Sequence, residues 1–445
     1  MKGVVISGIG SGSGKTSIST GLMSSLSKSM KVQPYKVGPD FIDPMYHTVA
    51  TGRRSRNLDT FMTSADTVRN IVGHSSKDAD ICIIEGVRGL FEGQSGTDER
   101  GSTAEIAKIL GLPVLLVIDA RSLTRSAAAI INGFSAFDKD LHINGVILNN
   151  VSGTQHERKL RDAIDRYCDV EIVGMVRKQD SPPTRERHLG LHTVNERSRS
   201  VIEGLECLLD GIDTDRLLDI CEEPGSELPD SSPYTEHDCG LKAAIPMDDA
   251  YCFYYRDNIE CMEAAGMDVR YFSPTEGDPL PDADLYYIGG GYPELHCERI
   301  SENRDFLEGL RNASEEGRAV IGECGGLMTM CSSIVSADGT RHEMSGIFDG
   351  DAVMSGRHGP TYNIAIPNGN NPLFKRKVRG HSFHYSEIVL RREYHLGFDM
   401  ERGSGVTSDM DGLVSGNSIG SYTHQHALSD DDWLSDVIET CMNER

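Results

Sequence analysis

Short apolar runs recur along the first half of the chain, separated by stretches with helical periodicity. Val4-Val5-Ile6, Val32–Val37, 81–84, 114–118, Val146-Ile147-Leu148 and 172–176 each read as a strand. Several are apolar throughout instead of alternating, as strands covered on both faces of a parallel sheet must be. Thr103–Leu110 and 123–134 carry the helical spacing between them. This strand–helix alternation predicts a doubly wound α/β domain.

From 222 to 238 the pattern breaks down. Glu-Glu-Pro-Gly-Ser-Glu-Leu-Pro-Asp-Ser-Ser-Pro is polar, acidic and proline-rich, so it reads as an interdomain connection. A second α/β pattern starts at Leu241-Lys242-Ala243-Ala244-Ile245. The expected organisation is 1–225, a linker at 226–240, and 241–445, with two doubly wound parallel-sheet domains. A chain of 445 residues gives each of them enough length for a core of its own.

Composition narrows the partners. A formal charge of −24 argues against nucleic acid, whose binding needs clustered Lys and Arg. No apolar run approaches the ~20 residues of a membrane span. Eleven cysteines, an odd number with no CxxC spacing, and no secretory signal predict reduced thiols and a cytoplasmic location.

The first strand runs into Gly8-Ile9-Gly10-Ser11-Gly12-Ser13-Gly14-Lys15-Thr16, and a helix is expected from near Ser17. Gly10, Gly12 and Gly14 let backbone N–H groups converge on phosphates. Lys15 neutralises their charge and the Thr16 hydroxyl suits Mg²⁺. The loop departs from the strict phosphate-loop pattern in having Ile9 where a glycine stands. Tyr35-Lys36-Val37-Gly38-Pro39-Asp40-Phe41-Ile42-Asp43-Pro44-Met45-Tyr46-His47 follows the second strand, and Glu85-Gly86-Val87-Arg88-Gly89-Leu90-Phe91-Glu92-Gly93 follows the third long one. Both fall at the carboxyl edge where such sheets bind ligands, with Glu85 where a metal-binding acid belongs. Asn149 or Asn150, ending another strand, is a candidate for the adenine edge.

The second domain carries a different chemistry. Arg318-Ala319-Val320-Ile321 reads as a buried strand stopping at Gly322-Glu323-Cys324-Gly325-Gly326, with Leu327-Met328-Thr329-Met330 opening a helix. That is a strand–nucleophile–helix elbow, and a helix N-terminus favours the thiolate of Cys324. In 418–427, read as a strand, His424 and His426 point to one side, and His424 is the candidate base. Gly289-Gly290-Gly291 follows Leu285-Tyr286-Tyr287 and offers backbone N–H groups for an oxyanion. Gly380-His381-Ser382-Phe383-His384-Tyr385-Ser386 is a further His/aromatic cluster, either packing or lining a junction between the halves.

These segments, with Glu186-Arg187-His188-Leu189-Gly190-Leu191, Gly-Gly-Gly-Tyr-Pro-Glu and Ser-Tyr-Thr-His-Gln-His, occur in an order that resembles the cobyrinate a,c-diamide synthase family over nearly the whole chain. Its first half is similar to dethiobiotin synthetase-type ligases and its second to class I glutamine amidotransferases. The resemblance implies that Cys324 and His424 release ammonia from glutamine, with Gly290, Gly291 and Gly325 at the oxyanion or glutamine site. It implies that the first half uses ATP and Mg²⁺ to activate acetate side chains of a tetrapyrrole. There Lys15, Thr16, the loop glycines and Asn149 would hold the nucleotide, Lys36 the transferring phosphoryl group, and Thr16, Asp40 and Glu85 the metal. Asp43, Tyr46 and Arg88 would face substrate. Class I amidotransferases usually carry Glu two residues after the base His, where this chain has His426.

Two tetrapyrroles fit the resemblance, nickel sirohydrochlorin and cobyrinate. Arg88, at a position where cobalamin-pathway members carry an apolar residue, and the acidic composition favour the nickel compound. The contrasting reading is a nucleotide-switch scaffold with an inactive amidotransferase-like module, which the intact Cys324 and His424 disfavour. Expected partners are tetrapyrrole, glutamine and ATP, with no nucleic acid or membrane, and homodimerisation is left open.

Overall fold

The computed structural model describes residues 1–178, 196–430 and 432–443. The motif at 186–191 lies outside the described residues. The chain divides into two compact units, Met1–Pro233 and Tyr234–Arg445.

In the first unit the strands are β1 (Lys2–Gly8), β2 (Val32–Val37), β3 (Arg56–Leu58), β4 (Ile81–Glu85), β5 (Val114–Asp119), β6 (Ile143–Val151) and β7 (Glu171–Arg177). They form one sheet in the order β3-β2-β4-β1-β5-β6-β7, and every pairing is parallel. Val4, Val5, Ile6, Ile83, Ile84, Leu115 and Leu116 are fully buried, as their unbroken apolar runs require. Strand order reverses at β1, the switch point at which ligands bind in sheets of this kind. Helix α1 (Lys15–Leu26) starts two residues before the predicted site because Gly14, at φ 93°, turns the loop directly into it. Helix α2 (Ile42–Thr51) follows β2. Helix α3 (Ala65–Ser75) is capped by the Ser64 hydroxyl, which accepts from the Thr67 N–H.

The polar stretch after residue 222 is strapped down along part of its length. Arg69 and Lys77 donate to the carbonyls of Glu227 and Asp230. Composition reports how few apolar side chains lie there, whereas these bonds are made by its backbone.

In the second unit the strands are β8 (Lys242–Pro246), β9 (Tyr251–Phe253), β10 (Asp268–Phe272), β11 (Leu285–Ile288), β12 (Gly290–Gly291), β13 (Ala319–Glu323), β14 (Cys331–Val335), β15 (Arg341–Glu343), β16 (Phe348–Pro367), β17 (Val378–Leu390), β18 (Leu396–Arg402), β19 (Met410–Ser415), β20 (Ser418–Ser421) and β21 (His424–Gln425). The segment β10-β8-β11-β13-β20 is parallel. Beyond β20 the sheet continues through β19, β18 and β16 in antiparallel pairings, and β17 and β21 branch from β16. The fold is therefore α/β, with a mixed second sheet. Two apolar clusters pack the unit, one around Phe306, Leu327 and Phe348 and the other around Leu241, Ile321 and Trp433.

The expected single strand over 418–427 is broken. The buried Asp411 carboxylate accepts from the Tyr422 N–H, the Thr423 N–H and the Thr423 hydroxyl, at 3.1, 3.0 and 2.7 Å. The chain bends there, leaves β13 and pairs with β17 instead, bringing His424 opposite His381.

Candidate active sites

Each unit concentrates its chemistry at the carboxyl ends of its parallel strands. In the first unit, register sets Lys36 of β2 opposite Glu85 of β4. Lys36 Nζ donates to Glu85 Oε1 at 2.7 Å and also to Asp43. Thr16 Oγ1 donates to the same Glu85 oxygen at 2.6 Å and lies 3.3 Å from Asp43 Oδ2. The other Glu85 oxygen is held by Ser19 Oγ at 2.6 Å and His47 Nε2 at 2.7 Å. Glu85 and His47 are fully buried.

The charges in this cluster are unequal. Burial opposes ionisation of Glu85, but Lys36 and His47 overcome it and hold the carboxyl well below the usual range. Burial pushes Asp43 well above its ordinary value, against the pull of Lys36. Burial also works against the charge of Lys36, yet Asp43 and Glu85 hold it above the usual lysine range. Glu85 thus keeps its charge, while Asp43 is the carboxylate that takes up a proton readily. Lys15, lowered chiefly by burial, donates to the carbonyls of Gly10 and Arg88.

The remaining sequence-predicted residues of this unit gather around the same edge. Gly12 and Gly14 have positive φ, and Gly14 is so close to Asn149 that a Cβ there would lie 2.2 Å from Nδ2. Asn149 Nδ2 donates to the Ser13 carbonyl at 3.0 Å, so this amide braces the loop. Asp40 Oδ1 accepts from the Ile42 N–H at 2.8 Å, at the start of α2. Tyr46 is buried, its hydroxyl raised by that burial and by Asp43. Arg88, at φ 49°, has an exposed side chain. Sequence reading assigned no role to Ser19 or His47, whose spacing from Glu85 gives no local signal.

Among the described residues no group of three or more His, Cys, Asp or Glu is arranged to hold a metal by itself. Mg²⁺ commonly takes one or two carboxylates together with phosphate oxygens. Thr16 Oγ1 with Asp43 and Glu85 is a hard-oxygen set that fits this ion.

In the second unit Cys324 stands between β13 and the helix Gly325–Met330, at φ 49° and ψ −96°. That conformation is costly for a side chain with a Cβ and is characteristic of a nucleophile held on a sharp turn. The Cys324 N–H donates to the Ser421 carbonyl at 2.7 Å, and Sγ lies 3.9 Å from the Phe383 carbonyl. The thiolate expected from the helix start is not what the surroundings favour. Burial pushes the thiol well above its ordinary range, and Glu294, Glu323 and Asp411 add to the shift. The Glu294 carboxyl is itself raised by burial to about 7. Acting as a nucleophile, such a thiol would need a base to take its proton.

His424 is almost fully buried in the same unit. Its ring stacks on His381, with centroids 5.1 Å apart, and a Cβ on Gly290 would lie 2.3 Å from its Cε1. A Cβ on Gly325 would lie 3.3 Å from the Gly291 nitrogen, so the predicted oxyanion glycines converge on one place. His381 Nδ1 meets the Tyr255 hydroxyl at 2.8 Å. His426 has different company: Nε2 is 3.7 Å from Asp257 Oδ2 and Nδ1 accepts from the Leu428 N–H at 3.2 Å.

A parallel phosphate-loop unit joined to a cysteine-elbow unit defines a two-part enzyme that couples ATP use to glutamine hydrolysis. The sequence families agree. Residues 4–188 match the CobQ/CobB/MinD/ParA nucleotide binding domain, and residues 242–432 match the CobB/CobQ-like glutamine amidotransferase domain. The chain is 41% identical to the cobyrinate a,c-diamide synthase of Methanosphaera stadtmanae, covering 96% of each. It is 40% identical to those of Methanosarcina barkeri, covering 99% of this chain and 96% of that one, and Methanocaldococcus jannaschii, covering 98% and 99%. The chain belongs to the cobyrinate a,c-diamide synthase family, and is a glutamine-hydrolysing, ATP-driven carbon–nitrogen ligase. No helix among the described residues is long and apolar enough to cross a membrane.

Proposed function

We propose that the enzyme amidates the a and c acetate side chains of nickel sirohydrochlorin. The observation that carries this reading is Arg88, whose exposed side chain stands at the phosphate-loop edge while its carbonyl accepts from Lys15. A guanidinium there suits a ring bearing many carboxylates. Cobyrinate is the second reading, favoured by the names of the methanogen relatives.

In the second unit Cys324 gives its proton to His424 as sulfur attacks the glutamine side-chain carbonyl. The proton passes to the departing ammonia, and water cleaves the resulting thioester to glutamate. Gly290, Gly291 and Gly325 supply the surroundings of the oxyanion. In the first unit an acetate oxygen attacks the γ-phosphorus of ATP, giving an acyl phosphate and ADP. Ammonia then displaces phosphate and leaves the amide, and a second round follows on the other acetate. Lys15 and the loop glycines bind the phosphates, and Lys36 balances charge on the transferred group. Thr16 and Glu85, with Asp40 or Asp43, would hold Mg²⁺, which neutralises phosphate charge when bound. Asn149, Asp43, Tyr46 and Arg88 are assigned to nucleotide and tetrapyrrole.

The test is a mass-resolved assay with ATP, Mg²⁺ and glutamine, offering each tetrapyrrole separately. Two amidations of nickel sirohydrochlorin alone support the proposal. Two of cobyrinate alone transfer the enzyme to cobalamin synthesis, and neither overturns the diamide synthase reading of this chain.

A further inference from the structure

The usual amidotransferase triad places a glutamate two residues after the base, and here that position holds His426, which faces Asp257. An acid close to the base comes from elsewhere. Glu323, the residue before Cys324, places Oε2 3.7 Å from His424 Nδ1, and both side chains are almost fully buried. We propose that Glu323 is the positioning residue of the glutaminase site, completing a triad in which acid and nucleophile are neighbours in sequence. This rests on Cys324 and His424 being the nucleophile and the base.

Three features make the carboxylate suited to that task. Its second oxygen, Oε1, accepts from the Gln425 N–H at 3.1 Å, so the acid is tied to the residue next to the base. Oε2 accepts from the Tyr287 hydroxyl at 3.0 Å, and Tyr287 in turn accepts from Asn258 Nδ2 at 3.1 Å. Gln425 is itself fixed, since its carbonyl accepts from Asn258 at 2.8 Å and its side chain from the Trp433 indole at 3.0 Å. Acid and base are therefore mounted on one rigid frame. Catalytic hydrogen bonds are often long before substrate binds, and 3.7 Å closes with a small ring movement. An acceptor at Nδ1 selects the tautomer with its proton on that nitrogen and turns Nε2 into the atom that takes the thiol proton. The carboxylate then stabilises the imidazolium formed in that step.

The test uses the full-length protein. Glu323→Gln is expected to lower kcat with glutamine about 100-fold or more while leaving KM for glutamine and ligation driven by ammonia unchanged. In ¹⁵N-histidine NMR of the wild type, His424, assigned from its loss in His424→Ala, is expected to carry its proton on Nδ1. A wild-type kcat with glutamine in Glu323→Gln overturns the inference, and so does an Nε2–H tautomer in the wild type. Should the variant misfold and lose both activities, the wild-type tautomer decides alone. Cys324→Ala separates the two readings: if it still uses glutamine, the nucleophile assignment falls. If it does not, and Glu323→Gln behaves as wild type, only the role of Glu323 falls.

Discussion

Lys36 and Glu85 face each other across paired parallel strands, and their charged ends meet at 2.7 Å with side chains 5% and 0% exposed. A buried ion pair in that position costs desolvation energy, and removing one partner leaves the other charge stranded.

Glu85→Gln should therefore destabilise the first unit by about 3–5 kcal/mol, read from urea unfolding. The wild-type carboxyl is depressed below its ordinary 4.5. Its stabilisation is complete above that pH and is lost as pH falls through the lower folded-state value. The glutamine variant should flatten this acid-side loss, and an unchanged acid profile would count against the pair.

Lys15→Ala should remove ATP-driven amidation and leave glutamine hydrolysis by the other unit measurable. On the proposed mechanism its ammonium serves phosphate, whereas the nucleophile belongs to the other unit. Parallel assays of ADP and glutamate release check this, and equal loss of both would contradict the division of labour.

Gly290→Ala should cut glutamine-dependent turnover by about 100-fold, on the scale of a misplaced reacting group. The added Cβ would lie 2.3 Å from His424 Cε1, so the ring must move. Ammonia-driven ligation should persist, and an alanine variant with full glutaminase rate would refute the close approach.

Glu294→Gln should matter most above neutral pH. The Glu294 carboxyl is raised to about 7, so the fold binds its proton more tightly than the unfolded chain does. Stability from this group is present below its ordinary 4.5 and is lost as pH rises to about 7. The variant should melt higher at pH 8 than the wild type, by ~2–4 °C for each kcal/mol relieved, with little gain at pH 4. It should also speed alkylation of Cys324, by removing a negative charge that disfavours the thiolate.

The parallel sheet was legible because several of its strands are apolar throughout, and the elbow because glycines flank Cys324 on both sides. The helix 103–110 was legible because Ser102 caps it and Gly111 ends it. What sequence did not reveal are relations between distant residues. Asp411 bends the chain at Tyr422 and Thr423, Ser19 and His47 hold Glu85, and Glu323 meets His424. Each depends on a polar side chain that looks like any other until the fold brings its partner near. The burial that disfavours the Cys324 thiolate was not legible for a related reason. The helix start is a local feature, whereas burial and the carboxylates that outweigh it come from segments scattered through the unit.

The burial of Cys324, which disfavours its thiolate, also bears on survival under oxidants. Peroxides and electrophiles attack thiolates that solvent can reach. Exposed Cys207, remote in sequence from the elbow, offers that access, and Cys324 does not. On the proposed mechanism the enzyme can thus accumulate oxidised sulfur at Cys207 before its nucleophile is spent, with reactivity at Cys324 confined to the moments when glutamine and the imidazole are both in place.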